Sequence, residues 1–231
     1  MKSLLLASTI LVAATGAAFA ADVIVTESAP EIAPAGFNWT GGYIGLQGGW
    51  QWGRDHTAES TGGVPTGFDE DLDSDGFIGG VHVGYNWQNG QFVYGAEADL
   101  EFSTVDGSYR VAGPDGTDFD LNWQGSIRGR LGYVPTERLL IYGTAGVAFG
   151  DLEYTYVQAE TIFESFSSTE VGWTVGAGAE YAFTDNLTAR LEYRYTDFGD
   201  VSNLSAVAFP GFTYDHDPKF HAVRVGVSYK F

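Results

Sequence analysis

"LTARLEYRYT", residues Leu187 to Thr196, sets Leu187, Ala189, Leu191, Tyr193 and Tyr195 in strict alternation with Thr188, Arg190, Glu192, Arg194 and Thr196. Successive strand side chains point to opposite faces, so this stretch has one apolar face and one face carrying three charges. The same period-two pattern predicts eight strands, at about 39–53, 76–88, 91–102, 121–134, 138–150, 170–183, 187–197 and 219–231. Most are long for a globular strand and suit tilted membrane strands of about 9 to 11 residues with short extensions.

The connections point the same way. Short links at Asn89-Gly90, Pro135 to Glu137 and Thr184 to Asn186 alternate with long polar ones at about 54–75, 103–120, 151–169 and 198–218. In an up-and-down barrel, alternate connections lie at opposite ends, so the short turns share one end and the long loops the other, as in bacterial outer-membrane barrels. The expected fold is therefore all-β: an eight-stranded antiparallel up-and-down transmembrane β-barrel.

A soluble barrel has the same alternation turned inside out, and two features separate them. Aromatic residues on the apolar face gather at both strand ends, Trp50, Trp52, Phe77, Phe102 and Trp173 at one and Tyr85, Trp87, Tyr94, Tyr133, Tyr181 and Phe183 at the other, around an aliphatic band. Such paired girdles suit a lipid interface. The opposite face is rich in Gly, which makes room in a narrow barrel for Glu97, Asp99, Glu101, Arg128, Arg130, Glu180, Arg190, Glu192, Arg194 and Arg224. Each Arg facing lipid at the midplane would cost about 2–4 kcal/mol. The charges are therefore expected inside, with strand three (Glu97, Asp99, Glu101) beside strand four (Arg128, Arg130) as an ionic plug.

Residues 1–20 have one early lysine, an apolar run from Leu4 to Val12 and an Ala-Phe-Ala exit, and read as a secretory signal peptide. Residues 21–37, rich in Ala and Pro, read as a periplasmic linker, and 38–231 as the barrel domain. The chain has no cysteine, which excludes disulfides and thiolate chemistry. Without Lys2 there are 10 basic against 30 acidic residues, a net charge of −20 that disfavours nucleic acid as a partner.

Three weaker patterns remain. Asp71, Asp73, Asp75 and Gly76 in "DEDLDSDGF" (Asp69 to Phe77) imitate the start of a calcium-binding EF-hand loop, but position twelve would be His82 where a bidentate Glu is needed. The stretch is expected to close the first external loop. Of the four histidines, His56, His216 and His221 fall in or beside external loops and hint at haem, without any supporting spacing. Nothing resembles a nucleophile with a base and an oxyanion hole, so neither enzyme activity nor a cofactor nor a metal is expected.

The chain ends "AVRVGVSYKF", where Arg224, Gly226, Tyr229 and Phe231 resemble the C-terminal signal read by the barrel-assembly machinery. Together with "WTGGYIGLQGGW" (Trp39 to Trp50), "GFIGGVHVGYNWQ" (Gly76 to Gln88), "GSIRGRLGY" (Gly125 to Tyr133) and "GWTVGAGAEYAFTDNLTARLEYRYTDFGD" (Gly172 to Asp200), it resembles the small outer-membrane immunogenic proteins of alphaproteobacteria, a porin-like β-barrel family. The resemblance implies a structural protein of the cell outer membrane that supports envelope integrity. Its implied partners are outer-membrane lipid and lipopolysaccharide, with peptidoglycan association through the N-terminal linker. Some relatives are described as porins and others as haem binders, so a narrow channel for ions or small solutes and a surface ligand binder stand as alternatives.

Overall fold

The computed structural model describes residues 37–113, 115–159 and 162–231. The expected signal peptide and all but the last residue of the expected linker lie outside them. Nine strands form one antiparallel sheet: β1 (Gly41–Thr61), β2 (Val64–Asn89), β3 (Phe92–Ala112), β4 (Asp115–Thr136), β5 (Leu139–Gln158), β6 (Ile162–Ala182), β7 (Leu187–Asp197), β8 (Val201–Leu204) and β9 (Phe212–Lys230). Each strand pairs with the next up to β7, β7 pairs with β9, and β9 pairs with β1, which closes the ring. The four-residue β8 pairs with β9 above the end of β7, so the two share one stave of an eight-stave barrel.

The strand faces follow the expected alternation. Ile44, Leu46, Val81, Val83, Ile127, Leu131, Val175, Val225 and Val227 are exposed around the outside, whereas the ten lumen charges are all buried. A soluble monomer rarely exposes an apolar belt of this extent. On β2 the belt runs from Phe77 in the outer girdle to Trp87 in the inner one, eleven residues, the length a tilted membrane strand needs.

The long connections differ from expectation. Three of the four are continuous hairpins: β1 and β2 stay paired to Thr61 opposite Val64, β3 and β4 to Ala112 opposite Asp115, and β5 and β6 to Gln158 opposite Ile162. The first closes on Gly62-Gly63, both with positive φ (57° and 79°), which a tight two-residue hairpin turn requires. Above the outer girdle the strand polarity inverts. Leu72, Val105, Phe119, Leu121, Leu152, Tyr154 and Tyr156 now point inward and pack into one buried core with Tyr214, Phe220 and Ala222. The outward positions become Asp71, Asp73, Asp106, Asp120 and Glu153. The barrel thus continues out of the lipid as a water-soluble barrel, apolar inside and acidic outside.

Among the described residues, irregular backbone is concentrated in the last long connection, at 198–200 and 205–211. The β6–β7 ladder ends at Trp173 opposite Asp197. Among the described residues, β6 above that point pairs with β5 alone and β8 with β9 alone. The strap 205–208 bridges the seam by wrapping the Glu164 carboxylate, which accepts hydrogen bonds from the Ser205 hydroxyl (2.6 Å) and the amides of Ala206, Val207 and Ala208 (2.9, 3.1 and 3.0 Å).

Candidate functional site

The interior is closed at three levels. At the end with the short turns, Phe37 and Trp39 turn into the mouth and bury against Val93, Val134, Leu140, Tyr142 and Ala182. Above them lies the ionic layer, and above that the apolar core of the outer hairpins.

The ionic layer follows from strand register. β3 presents Glu97, Asp99 and Glu101 on one face, and β4 sets Arg128 directly opposite Glu97. Arg128 donates to Glu97 (2.5 Å), Asp99 (3.1 Å), Glu192 (2.8 Å) and Thr144 (2.9 Å). The expected pairing of strands three and four holds for this residue, but the remaining charges reach across the lumen. Asp99 accepts from Arg194 on β7 at 3.0 and 3.1 Å, and Glu101 from Arg224 on β9 at 2.8 and 2.9 Å. Arg190 on β7 donates to Glu97, and Arg130 on β4 to Glu180 on β6. The lumen therefore holds five arginines and five carboxylates and is electrically neutral as a set.

Neutral side chains complete the layer. The Tyr43 hydroxyl donates to Glu97 (2.8 Å), Ser126 to Asp99 (2.6 Å), Gln47 and Gln124 to Glu101 (2.7 and 2.9 Å), and Tyr142 to Glu192 (3.0 Å). Tyr43 and Gln47 are absent from the predicted charge network, although they share the phase of Gly45 and Gly49 on β1, which was the available signal. Glycine supplies the room: a Cβ on Gly84 would come within 2.4 Å of Tyr43, and one on Gly178 within 2.7 Å of Tyr142. In the C-terminal segment Arg224 and Gly226 face the lumen while Tyr229 and Phe231 sit outside, their rings 5.5 Å apart.

The acidic stretch is part of β2 rather than the end of a loop. Asp71, Asp73 and Asp75 lie along the outer face of that strand, with Leu72 and Ser74 pointing in between. In-line carboxylates on a flat strand do not converge on one point. They meet β1 instead, where Arg54 lies 3.5 Å from Asp71 and 3.1 Å from Asp73, and His56 lies 3.2 Å from Asp69 and 3.0 Å from Asp71. Among the described residues no group of three or more His, Cys, Asp or Glu can hold a metal ion.

The histidines also separate. His56 and His221 face outward, His82 is buried in the lumen against Ser228 (2.8 Å), and His216 is buried in the outer core. Of the three loop histidines, His56 and His221 line one outward-facing pocket while His216 lies apart in the outer core, so the three do not form one site. His216 is 2.8 Å from Asp55 and 3.1 Å from Thr57, both through Nδ1, its Nε2 meets the Tyr156 hydroxyl at 2.9 Å, and Tyr154 stacks on it at 3.9 Å. The Thr57 hydroxyl shares Nδ1 with the acid and so is not placed for a proton-relaying triad, which needs the two on opposite nitrogens; the hydroxyl on Nε2 is the buried Tyr156 phenol.

Comparison with known proteins agrees with this architecture. The family described as Outer membrane protein beta-barrel domain matches residues 7–231. The 31 kDa outer-membrane immunogenic protein of Brucella melitensis is 42% identical over 251 residues, covering 100% of both chains. The 22 kDa outer membrane protein of Rhizobium leguminosarum bv. viciae is 40% identical, covering 87% of this chain and 81% of its own. Among solved structures, the outer membrane protein OprG from Pseudomonas aeruginosa superposes with a TM-score of 0.57 at 14% identity, over 84% of this chain and 97% of its own, a likeness of fold.

Proposed function

The chain belongs to the outer-membrane β-barrel family and is an outer-membrane protein of the immunogenic-protein type, and from that premise we propose that it works as a sealed structural barrel, neither channel nor enzyme. One observation carries this reading: the ten buried, mutually paired lumen charges lie between two buried apolar layers. Eight strands leave an interior just wide enough for side chains, and here side chains fill it. A hydrated ion crossing it would have to separate pairs whose breaking costs about 3–5 kcal/mol each.

Against catalysis stands the burial of the His216 cluster, in which Asp55, Thr57, Tyr156 and His216 itself are all enclosed in the outer core. The partners that suit the surface are lipid and lipopolysaccharide around the girdles, the barrel-assembly machinery at the C-terminal Arg224, Gly226, Tyr229 and Phe231, and peptidoglycan through residues 21–37. Deletion of the gene should raise envelope sensitivity to detergents and large antibiotics, and the wild-type gene should restore resistance. Unchanged sensitivity in the deletion strain would contradict the structural role.

A further inference from the structure

The outer mouth carries a cavity that a sealed structural barrel does not need. It holds about 210 Å³ and is walled by five aromatic side chains from three hairpins: Phe68 on β2, Tyr109 on β3, Phe209 from the last connection, and Phe212 and Tyr214 on β9. Phe68 and Tyr109 have ring centroids 6.2 Å apart, and Phe209 and Tyr214 6.1 Å apart. The charged residues in its lining are Glu59 and Asp115. Both carboxylates are held in place, Glu59 accepting from the Thr66 hydroxyl (2.7 Å) and Asp115 from the Ala159 amide (2.7 Å).

Aromatic faces carry negative quadrupole potential and attract cations, more strongly where water is excluded. Carboxylates in the same wall add net negative charge, which repels anions and gives a neutral apolar guest nothing while costing their desolvation. Burial, the nearby carboxylate of Glu59 and a hydrogen bond to it push the Tyr214 hydroxyl up. Burial does the same to Tyr109, where a hydrogen bond with Thr117 opposes it and the charges of Asp55, Glu59 and Glu70 reinforce it. Both phenols are therefore neutral hydroxyls in the cavity wall, whose charged members are the two carboxylates. A bare ammonium holds its water tightly, whereas an alkylated one is weakly hydrated and fills an aromatic box. Drug-sized ligands occupy about 300–1,000 Å³, so the guest here is smaller.

We infer that the outer mouth is a binding site for a small organic cation with an alkylated ammonium head, caged by Phe68, Tyr109, Phe212 and Tyr214 and neutralised by Glu59 and Asp115. The test is calorimetry of the folded full-length barrel in a maltoside detergent, since phosphocholine detergents carry such a head group themselves. The probes are choline and its uncharged isostere 3,3-dimethylbutan-1-ol. Choline should bind saturably and at least about tenfold more tightly than the isostere, a comparison that needs no variant. Glu59→Gln and Tyr109→Ala should each weaken choline binding by about tenfold or more, with heat-modifiable gel mobility confirming that the barrel is intact. Absence of saturable binding up to about 10 mM choline, weaker than any specific site of this kind, would overturn the proposal. So would equal affinity for the isostere, or folded variants that bind as wild type, since the aromatics then merely roof the outer core.

Discussion

Arg130→Met separates a buried charge that holds the lumen together from one that merely fits in it. Arg130 donates to Glu180, lies 3.4 Å from the Tyr43 hydroxyl, and stacks its guanidinium 3.7 Å from the Tyr142 ring centroid. Without it, Glu180 keeps, among the described residues, only the Thr188 hydroxyl at 2.5 Å, and the lumen changes from five charges of each sign to four positive and five negative. Removing one partner of a buried pair costs about 3–5 kcal/mol, because the remaining charge stays desolvated. Methionine retains much of the stem, so little of the loss comes from an emptied volume. The comparison is Arg138→Met, whose partner Asp185 is 3.6 Å away and 87% exposed. That change should cost about 0–1 kcal/mol. Urea titration from lipid vesicles, followed by the fluorescence of the chain's six tryptophans, measures both. The double variant Arg130→Met with Glu180→Gln removes both charges and should recover most of the loss, to within about 2 kcal/mol of wild type. A single variant losing under about 1 kcal/mol, or a double variant no better than the single, would refute the ionic layer as a coupled set.

The remaining predictions concern the part of the barrel above the lipid. Burial acts to raise the Glu164 carboxyl, but hydrogen bonds from Ser205 and the amides of Ala206, Ala208 and Val207 win and hold it down at about 2, against an ordinary 4.5. Its folded pKa is depressed, so the strap it ties is fully held above about pH 4.5 and released as the pH falls towards 2. Amide exchange at 205–211 should rise across that window and should already be fast at neutral pH in Glu164→Ala; a slow, pH-independent strap in both would contradict the latch. Inverted strand polarity predicts opposite outcomes for neighbours on β2. Leu72→Asp buries an unpaired charge at a position 1% exposed and should cost upwards of about 3 kcal/mol, whereas Asp73→Asn on the outer face should stay within about 0.5 kcal/mol, both by the same titration.

Most of the membrane-embedded part was legible from alternation alone. The outward Ile, Leu and Val, the paired aromatic girdles and the lumen charges all stand where the period-two pattern puts them, because a strand has only two faces and lipid rejects charge. The outer hairpins were not legible in the same way. In "DEDLDSDGF" the alternation continues without a break, but Leu72 takes the inward phase and the aspartates the outward one, the reverse of the membrane segment, so the polar surroundings read as loop. The same inversion hides Leu152, Tyr154 and Tyr156 in "DLEYTY", whereas on β4 a bulge between Leu121 and Trp123 turns the odd phase of the outward Ile127 and Leu131 inward and so hides Phe119 and Leu121 in "DFDLNW". Within the ionic layer, membership was readable from phase but partners were not. Asp99 with Arg194 and Glu101 with Arg224 meet across the lumen, a contact set by barrel closure that no local spacing records. Trp39 opens the predicted strand 39–53 in the inward phase of Tyr43 and Gly45, but β1 begins only at Gly41, and the turn that buries Trp39 in the mouth is not recorded by strand alternation.

Single-channel recording of the refolded barrel in planar bilayers tests the sealed interior most directly. Three closed layers predict a flat baseline at all voltages, and Trp39→Ala should leave it flat because the ionic layer and outer core still block the path. Steady, uniform conductance steps from the wild-type protein, altered by Arg128→Ala or Glu97→Ala, would contradict the account.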